Sequence, residues 1–445
     1  MYKAQGRDIV IINGIVVTQD DAGTVLENGA VCVSRERIAY VGSAYGIDAG
    51  SAGRIIDAGG GIIMPGLINT HTHAAMTCFR GLADDLELMD WLNNNILPAE
   101  SRLDYDKVYA GTMLACAEMM LSGTTCFSDM YLFEDAVAAA VHAAGMRAVV
   151  GEVLYDFDSP SFGTIDNGFE YTRNLIEKWR DDPLITIAVE PHSPYLCAPE
   201  LLERAAAMAH EYDVPFIIHL AETKEETATI MNRYGRSPVA HLADIGILSP
   251  RVLACHCVDV DEKDIGLLQQ YGVKVSHNPE SNMKLASGIA PVPAMIDAGV
   301  CVGLGTDGPA SNNNLDMFME MDTAAKIHKV NLLNPTAMSA RTVLKMATRD
   351  AARALGLDRE TGSLEVGKKA DIVIVDINKP HMTPLYDVFS QLVYSASGSD
   401  VDTVLINGRI MVENRRLLAF DITEAMDGMQ AVAREIRTAI GCKSN

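Results

Sequence analysis

Apolar residues fall into two textures along this chain. Over the first 60 residues, "DIVIINGIVVT", "GAVCVSRERIAYVG" and "GRIIDAGGGIIMPG" alternate or run apolar and are broken by Gly and Asp, the pattern of short strands joined by turns. The same texture returns in "GKKADIVIVDI" and "DVDTVLINGRIMVENRRLL". Residues 1–61 and 369–420 are therefore predicted to fold together as one small β-sandwich. A last stretch, within 421–445, carries helical spacing in "DITEAMDGMQAVAREIRTAI" and predicts a C-terminal helix. Between 62 and 368, short apolar runs alternate with longer helical ones such as "DKVYAGTMLACAEMMLS" and "APELLERAAAMAHEY". The strand candidates are "GIIMPGLINT", "GTTCFSDM", "MRAVVGEVL", "LITIAVEPH", "VPFIIHL", "RVLACHC", "VKVSHN" and "VCVGLGTDG". Such an alternation predicts an α/β fold, a (β/α)8 TIM-like barrel. A doubly wound open sheet is the alternative, but no G-x-G-x-x-G opens a helix after the first strand.

Composition narrows the function classes. The chain of 445 residues is 48% hydrophobic, enough for a substantial core. It carries 36 basic and 59 acidic residues, a formal net charge of -23. Such acidity argues against nucleic acid or an anionic membrane as partner, because phosphate binding needs a basic face. No run approaches the length of a membrane span, and "MYKAQGRDIVIING" lacks the features of a signal peptide. Nine scattered cysteines read as reduced thiols, so a cytoplasmic location is expected. The pair in "ACHCVD" reads as packing rather than as ligands. Exposed loops and many apolar helices are compatible with a homo-oligomer.

In a barrel of this kind the chemistry sits at the C-terminal ends of the strands. Six of the 11 histidines fall at or just past predicted strand ends: His71, His73, His192, His219, His256 and His277. In "NTHTH", residues i and i+2 point to the same side, so His71 and His73 can grip one cation. His219 ends "VPFIIHL" and Asp307 ends "VCVGLGTD". Three neutral imidazoles and a carboxylate suit one divalent metal ion, zinc first; iron and manganese suit the same set. Glu222, three residues after His219, is placed to move a proton. The plainer reading of Glu222 is an acid opening a helix. His256 could orient water or stabilise charge.

Longer segments carry a resemblance. "PGLINTHTHAAMTCFRGLADDLELMDWL", "LPAE", "GTTCFSDMY", "PHSPYLC", "HLAET", "SHNPESNMKLASGIAPV" and "GTDGPASNNNLDMF" resemble the amidohydrolase superfamily, and within it the 5'-methylthioadenosine/S-adenosylhomocysteine deaminases. The likeness covers nearly the whole chain. It implies a β-sandwich plus barrel and a single catalytic metal. By position, His71, His73, His219 and Asp307 match the metal ligands, and Glu222, His256 and Asp307 the proton-handling residues. Glu100 matches the residue that binds the ribose hydroxyls and His192 one that contacts the purine. Trp91 lies in the segment that closes over the substrate. "AVEPHSPY" lacks the bridging lysine of the two-metal members. The implied reaction is hydrolytic deamination at purine C6 of adenosine, 5'-deoxyadenosine, 5'-methylthioadenosine or S-adenosylhomocysteine. Members that accept the last place an arginine in the loop after the third strand. Here Glu152 aligns there, so S-adenosylhomocysteine is expected to be repelled. A triazine amino- or chlorohydrolase on the same scaffold is the second reading, disfavoured because a triazine has no ribose for Glu100. A non-catalytic binding protein is the third, disfavoured by the intact ligand set.

Overall fold

The computed structural model describes residues 2–6, 8–86 and 91–440. It is an α/β protein built around parallel strands. β1 (Leu67–Thr72), β2 (Thr124–Tyr131), β3 (Arg147–Leu154) and β4 (Ile185–Ile187 with Glu190–Pro191) form one parallel sheet in that order. β5 (Phe216–Leu220), β6 (Val252–His256), β7 (Lys274–His277) and β8 (Val302–Leu304) form a second. Each of these strands coincides with an apolar run of the sequence, and β2, β3, β5 and β6 are buried along their whole length. That double-sided burial is why they read as continuous apolar runs rather than alternating ones.

Further hydrogen bonds join the outer edges of the two sheets. Between β4 and β5, Ile217 N donates to Val189 O (3.1 Å) and His219 N to His192 O (3.0 Å). Between β8 and β1, Asp307 N donates to His71 O (2.9 Å) and Thr70 Oγ1 to Leu304 O (2.9 Å). The C-terminal strand ends thus come together at one end of the assembly.

Strands from both chain ends meet in one nine-stranded mixed sheet. Ile372–Val375 lies at its centre, antiparallel to Ile62–Pro65 on one side and to Val401–Ile406 on the other. Ile9–Val17 continues the sheet beyond Ile62–Pro65. This sheet has its own core of Ile11, Val31, Ile63, Ile372, Ile374 and Leu405. Two expected boundaries shift. The run "GIIMPGLINT" is not one strand: Ile62–Pro65 joins the mixed sheet, and only Leu67–Thr72 enters the parallel one. The chain crosses at Gly66, where any Cβ would collide with Thr125. The segment 369–420 is not all strand either. Val388–Tyr394 is a helix packed on the helices Met317–Leu332 and Ala340–Met346, because its apolar face, Val388, Phe389, Leu392 and Val393, needs cover. The C-terminal helix, Ile422–Ile440, packs along Tyr105–Leu121.

One buried ion pair ties the two parts together. Arg147, at the start of β3, donates through Nε to Asp371 Oδ2 (2.8 Å), and Asp371 also accepts from Asn407 N (2.7 Å) and Thr361 Oγ1 (3.2 Å). Both charged side chains are buried. Removing one partner leaves the other uncompensated, at a cost of about 3–5 kcal/mol. Asp371→Ala should therefore lower the urea midpoint of unfolding markedly. An unshifted midpoint would show that the pair carries no net stability.

Among the described residues, all eight cysteines are unpaired, and Cys255 and Cys257 are fully buried. No described helix is long and apolar enough to cross a membrane.

Candidate active site

The strand ends surround a cavity of about 840 Å³, within the range of small-molecule sites. At its floor, β1 delivers His71 and His73, β5 His219, and the segment after β8 Asp307. The ring centroids lie 4.9 Å apart for His71 and His73 and 4.8 Å for His71 and His219. Asp307 Oδ1 stands 3.1 Å from His73 Nε2 and 3.5 Å from His71 Nε2. Candidate ligand atoms of His71, His73 and His219 lie within 4.8 Å of one another, as do those of His71, His256 and Asp307.

The surroundings aim these groups inward. His73 Nδ1 is held by Met130 O, and His219 Nδ1 lies 2.9 Å from His192 O, so both present Nε2 to the centre. Asp307 Oδ2 accepts from Ser281 Oγ (2.6 Å) and Ser311 Oγ (2.7 Å), leaving Oδ1 facing the imidazoles. Such outer hydrogen bonds fix tautomer and orientation in metal sites. His71 is fully buried, yet among the described residues neither ring nitrogen makes a well-formed hydrogen bond, the approach to Asp307 Oδ1 being 3.5 Å. An orphaned buried imidazole is costly unless something else binds it. Burial holds His71 down to about 4, which keeps it neutral and able to ligate. Burial opposes protonation of His73 too, but the adjacent Asp307 outweighs it and raises His73 to about 9. Both observations fit a divalent cation: one group lacks a well-formed hydrogen bond, and the other borrows a proton in place of a positive charge.

Above this floor stand the groups expected to handle protons. Glu222 lies in the turn after β5, before the helix Lys224–Tyr234, whose N-cap is Thr223. It is therefore not the helix-opening acid. Its backbone N–H donates to Glu226 (2.8 Å), which also accepts from Ala221 N (3.0 Å) and so holds the turn. Burial raises the Glu222 carboxyl above its ordinary value. His256 Nδ1 lies 3.0 Å from Asn282 Oδ1, which sets Nδ1 as the donor and leaves Nε2 4.0 Å from Glu222 Oε2. Ala221, His256 and Asp307 all take φ in the left-handed region, at 50°, 74° and 59°. Strain of this kind concentrates where side chains must be aimed at a site.

Glu100 and His192 also line the cavity. Tyr131 Oη donates to Glu100 Oε1 (2.7 Å), and burial raises Glu100 to about 6. The His192 ring lies 4.7 Å from that of His219, and burial lowers it to about 3, so it is neutral. One expectation fails. Glu152 does not reach the cavity. On β3 the next residue, Val153, lines it, and strand alternation turns Glu152 the other way. There its carboxylate accepts from Glu134 N (2.8 Å) and Phe133 N (3.3 Å) at a helix N-terminus, and burial raises it to about 7. His277 does end β7, as expected, but is not among the residues lining the cavity, and its Nε2 lies 3.1 Å from His328 Nε2. The side chain of Trp91 lies outside the described residues.

Sequence reasoning assigned no role to Ser281, Asn282, Ser311 or Tyr131. The first two belong to "SHNPESN", whose density of polar residues just after a strand was the available signal.

Comparison with known proteins identifies the family. The amidohydrolase family profile matches residues 62–411. A 5-methylthioadenosine/S-adenosylhomocysteine deaminase of Syntrophobacter fumaroxidans is 57% identical over 97% of this chain and 98% of its own. A 5'-deoxyadenosine deaminase of Methanosarcina barkeri is 47% identical over 97% of this chain and 99% of its own. The crystal structure of an adenosine deaminase from Xanthomonas campestris with bound zinc superposes with a TM-score of 0.95, at 39% identity, covering 98% of this chain and 99% of that one. The chain belongs to the amidohydrolase family.

Proposed function

We propose that this protein is a metal-dependent deaminase that hydrolyses the C6 amino group of adenine nucleosides, giving the inosine-type product and ammonia. The observation that carries the reading is one cavity holding both Glu222 beside the His71, His73, His219 and Asp307 cluster and the Tyr131-held Glu100. A metal floor alone suits many hydrolyses; a half-buried, hydrogen-bonded carboxylate lining the same cavity suits a sugar diol. The names of the relatives point the same way. The edge hydrogen bonds between the two parallel sheets support reading them as one closed (β/α)8 barrel, with the mixed sheet as a separate chain-end domain.

His71, His73, His219 and Asp307 would hold the ion, zinc by their chemistry and by the solved relative. Bound there, it would supply Lewis-acid activation of water and stabilise developing negative charge. The chain's own residues do the rest. Glu100 binds the ribose hydroxyls, with Tyr131 fixing its free rotation. His192, neutral, contacts the purine. Glu222 takes a proton from the attacking water and delivers it to purine N1, which makes C6 electrophilic. Burial raises its carboxyl above the ordinary value, which favours holding a proton between the two transfers. Water oxygen adds at C6, with His256 Nε2 facing it. Asp307 passes the remaining proton to the exocyclic nitrogen, which departs as ammonia.

The test is ultraviolet-monitored loss of adenosine with ammonia released in equal amount. A triazine serves as the competing substrate. Glu100→Gln should raise KM for adenosine at least about tenfold, since a hydrogen-bonded charge near the ribose is lost. Absence of ammonia from every adenine nucleoside, at full metal loading, would defeat the assignment.

A further inference from the structure

The wall next to Glu100 is built for something apolar. Leu132 directly follows β2, Val153 is the last residue but one of β3, and Tyr155, Phe157 and Leu196 complete the surface. Tyr155 and Phe157 stack at 3.9 Å between centroids with planes 15° apart, and Phe157 remains 48% exposed at the cavity mouth. Leu132 follows Tyr131, whose hydroxyl donates to Glu100 Oε1 (2.7 Å), and Tyr155 lines the same cavity as Glu100, with burial pushing its hydroxyl up to about 12. A nucleoside with its base over the imidazoles and its ribose on Glu100 directs its 5' carbon at this wall.

No Lys or Arg is among the described residues that line the cavity; its ionisable groups are histidines, tyrosines and the carboxyls of Glu100, Glu222, Glu225, Glu226 and Asp307. Two cations near the cavity have protein partners, while Lys224, between the lining residues Thr223 and Glu225, is exposed. Lys284 Nζ donates to Asp84 Oδ1 (2.6 Å) and Ala310 O (3.2 Å), and Arg233 donates to Tyr195 O (3.4 Å). The sequence at 87–90, "ELMD", contains no cation.

Resting on the deaminase reading, we propose that Leu132, Val153, Tyr155, Phe157 and Leu196 form a 5' subsite that selects adenine nucleosides with an uncharged, apolar 5' group and rejects the amino-acid tail of S-adenosylhomocysteine. A methyl or methylthio group gains by leaving water against these side chains. The tail's carboxylate finds no cation there, and burying an unpaired charge is unfavourable. Its ammonium can meet Glu225 or solvent, which leaves the carboxylate still unmatched. The cavity is roomy, so the sieve works on charge rather than on size. This separates two activities that the names of the relatives join.

The experiment compares kcat/KM of the zinc-loaded enzyme for 5'-deoxyadenosine, 5'-methylthioadenosine, 5'-isobutylthioadenosine and S-adenosylhomocysteine. The isobutyl thioether is bulky and neutral, so it separates size from charge. The three neutral substrates should agree within about tenfold, and S-adenosylhomocysteine should fall at least about tenfold below the isobutyl thioether, mainly through KM. Leu196→Arg should raise the ratio of S-adenosylhomocysteine to methylthioadenosine roughly tenfold. S-adenosylhomocysteine turned over as well as the neutral thioethers overturns the proposal, as does joint rejection of both bulky substrates. An unchanged ratio in folded Leu196→Arg overturns the placement of the 5' group. If none of the four is deaminated, it is the deaminase reading itself that fails.

Discussion

Glu222→Gln should retain its metal and lose turnover by about 10²–10⁴-fold, the usual contribution of a general acid–base group. Glutamine keeps the shape and the hydrogen-bonding reach of the side chain. Its backbone anchor is untouched, because Glu226 holds the turn through the main-chain N–H groups of Ala221 and Glu222. What is lost is a site where a proton can be stored between water and purine N1. The effect should therefore appear in kcat, with little change in KM. Metal content measured on the same preparation must match the parent. Near-normal turnover at full metal loading would remove Glu222 from the mechanism and leave His256 as the group facing the water.

Asp307→Asn should purify with substoichiometric metal and with activity reduced by at least about 10³-fold, since both the negative ligand and the ion's polarising charge go. Elemental analysis reads the metal independently of turnover. The serine pair gives a graded control. Ser281→Ala and Ser311→Ala each remove one of the hydrogen bonds that hold Asp307 Oδ2, and should weaken metal affinity by about 10–100-fold without abolishing it. Full metal occupancy in Asp307→Asn would show that the imidazoles suffice and that Asp307 acts only on protons.

His71, His219 and His256 are buried, Asp307 is oriented by two serine hydroxyls, and Ala221, His256 and Asp307 are held at positive φ. A cluster this constrained carries unfavourable local terms that the surrounding parallel sheets must offset.

Much of this was legible in the sequence. Strands buried on both faces write themselves as apolar runs, so the eight parallel segments were visible from hydrophobicity alone. Residues at strand ends inherit a common location, so His71, His73, His219, His256 and Asp307 could be grouped without coordinates. What a one-dimensional pattern lacks is direction and partner. It could not show that Ile62–Pro65 leaves the parallel strands at Gly66 to pair with Ile372–Val375, because a pairing across some 300 residues leaves no local trace. Nor could it show which way a side chain turns in a fully buried strand, since both faces are filled. Glu152 and Val153 are neighbours on such a strand, and only the three-dimensional packing decides that the valine meets the cavity while the glutamate meets a helix N-terminus. The candidate ligands and acids were legible from residue types and strand ends; which side chain of β3 lines the cavity was decided only by tertiary packing.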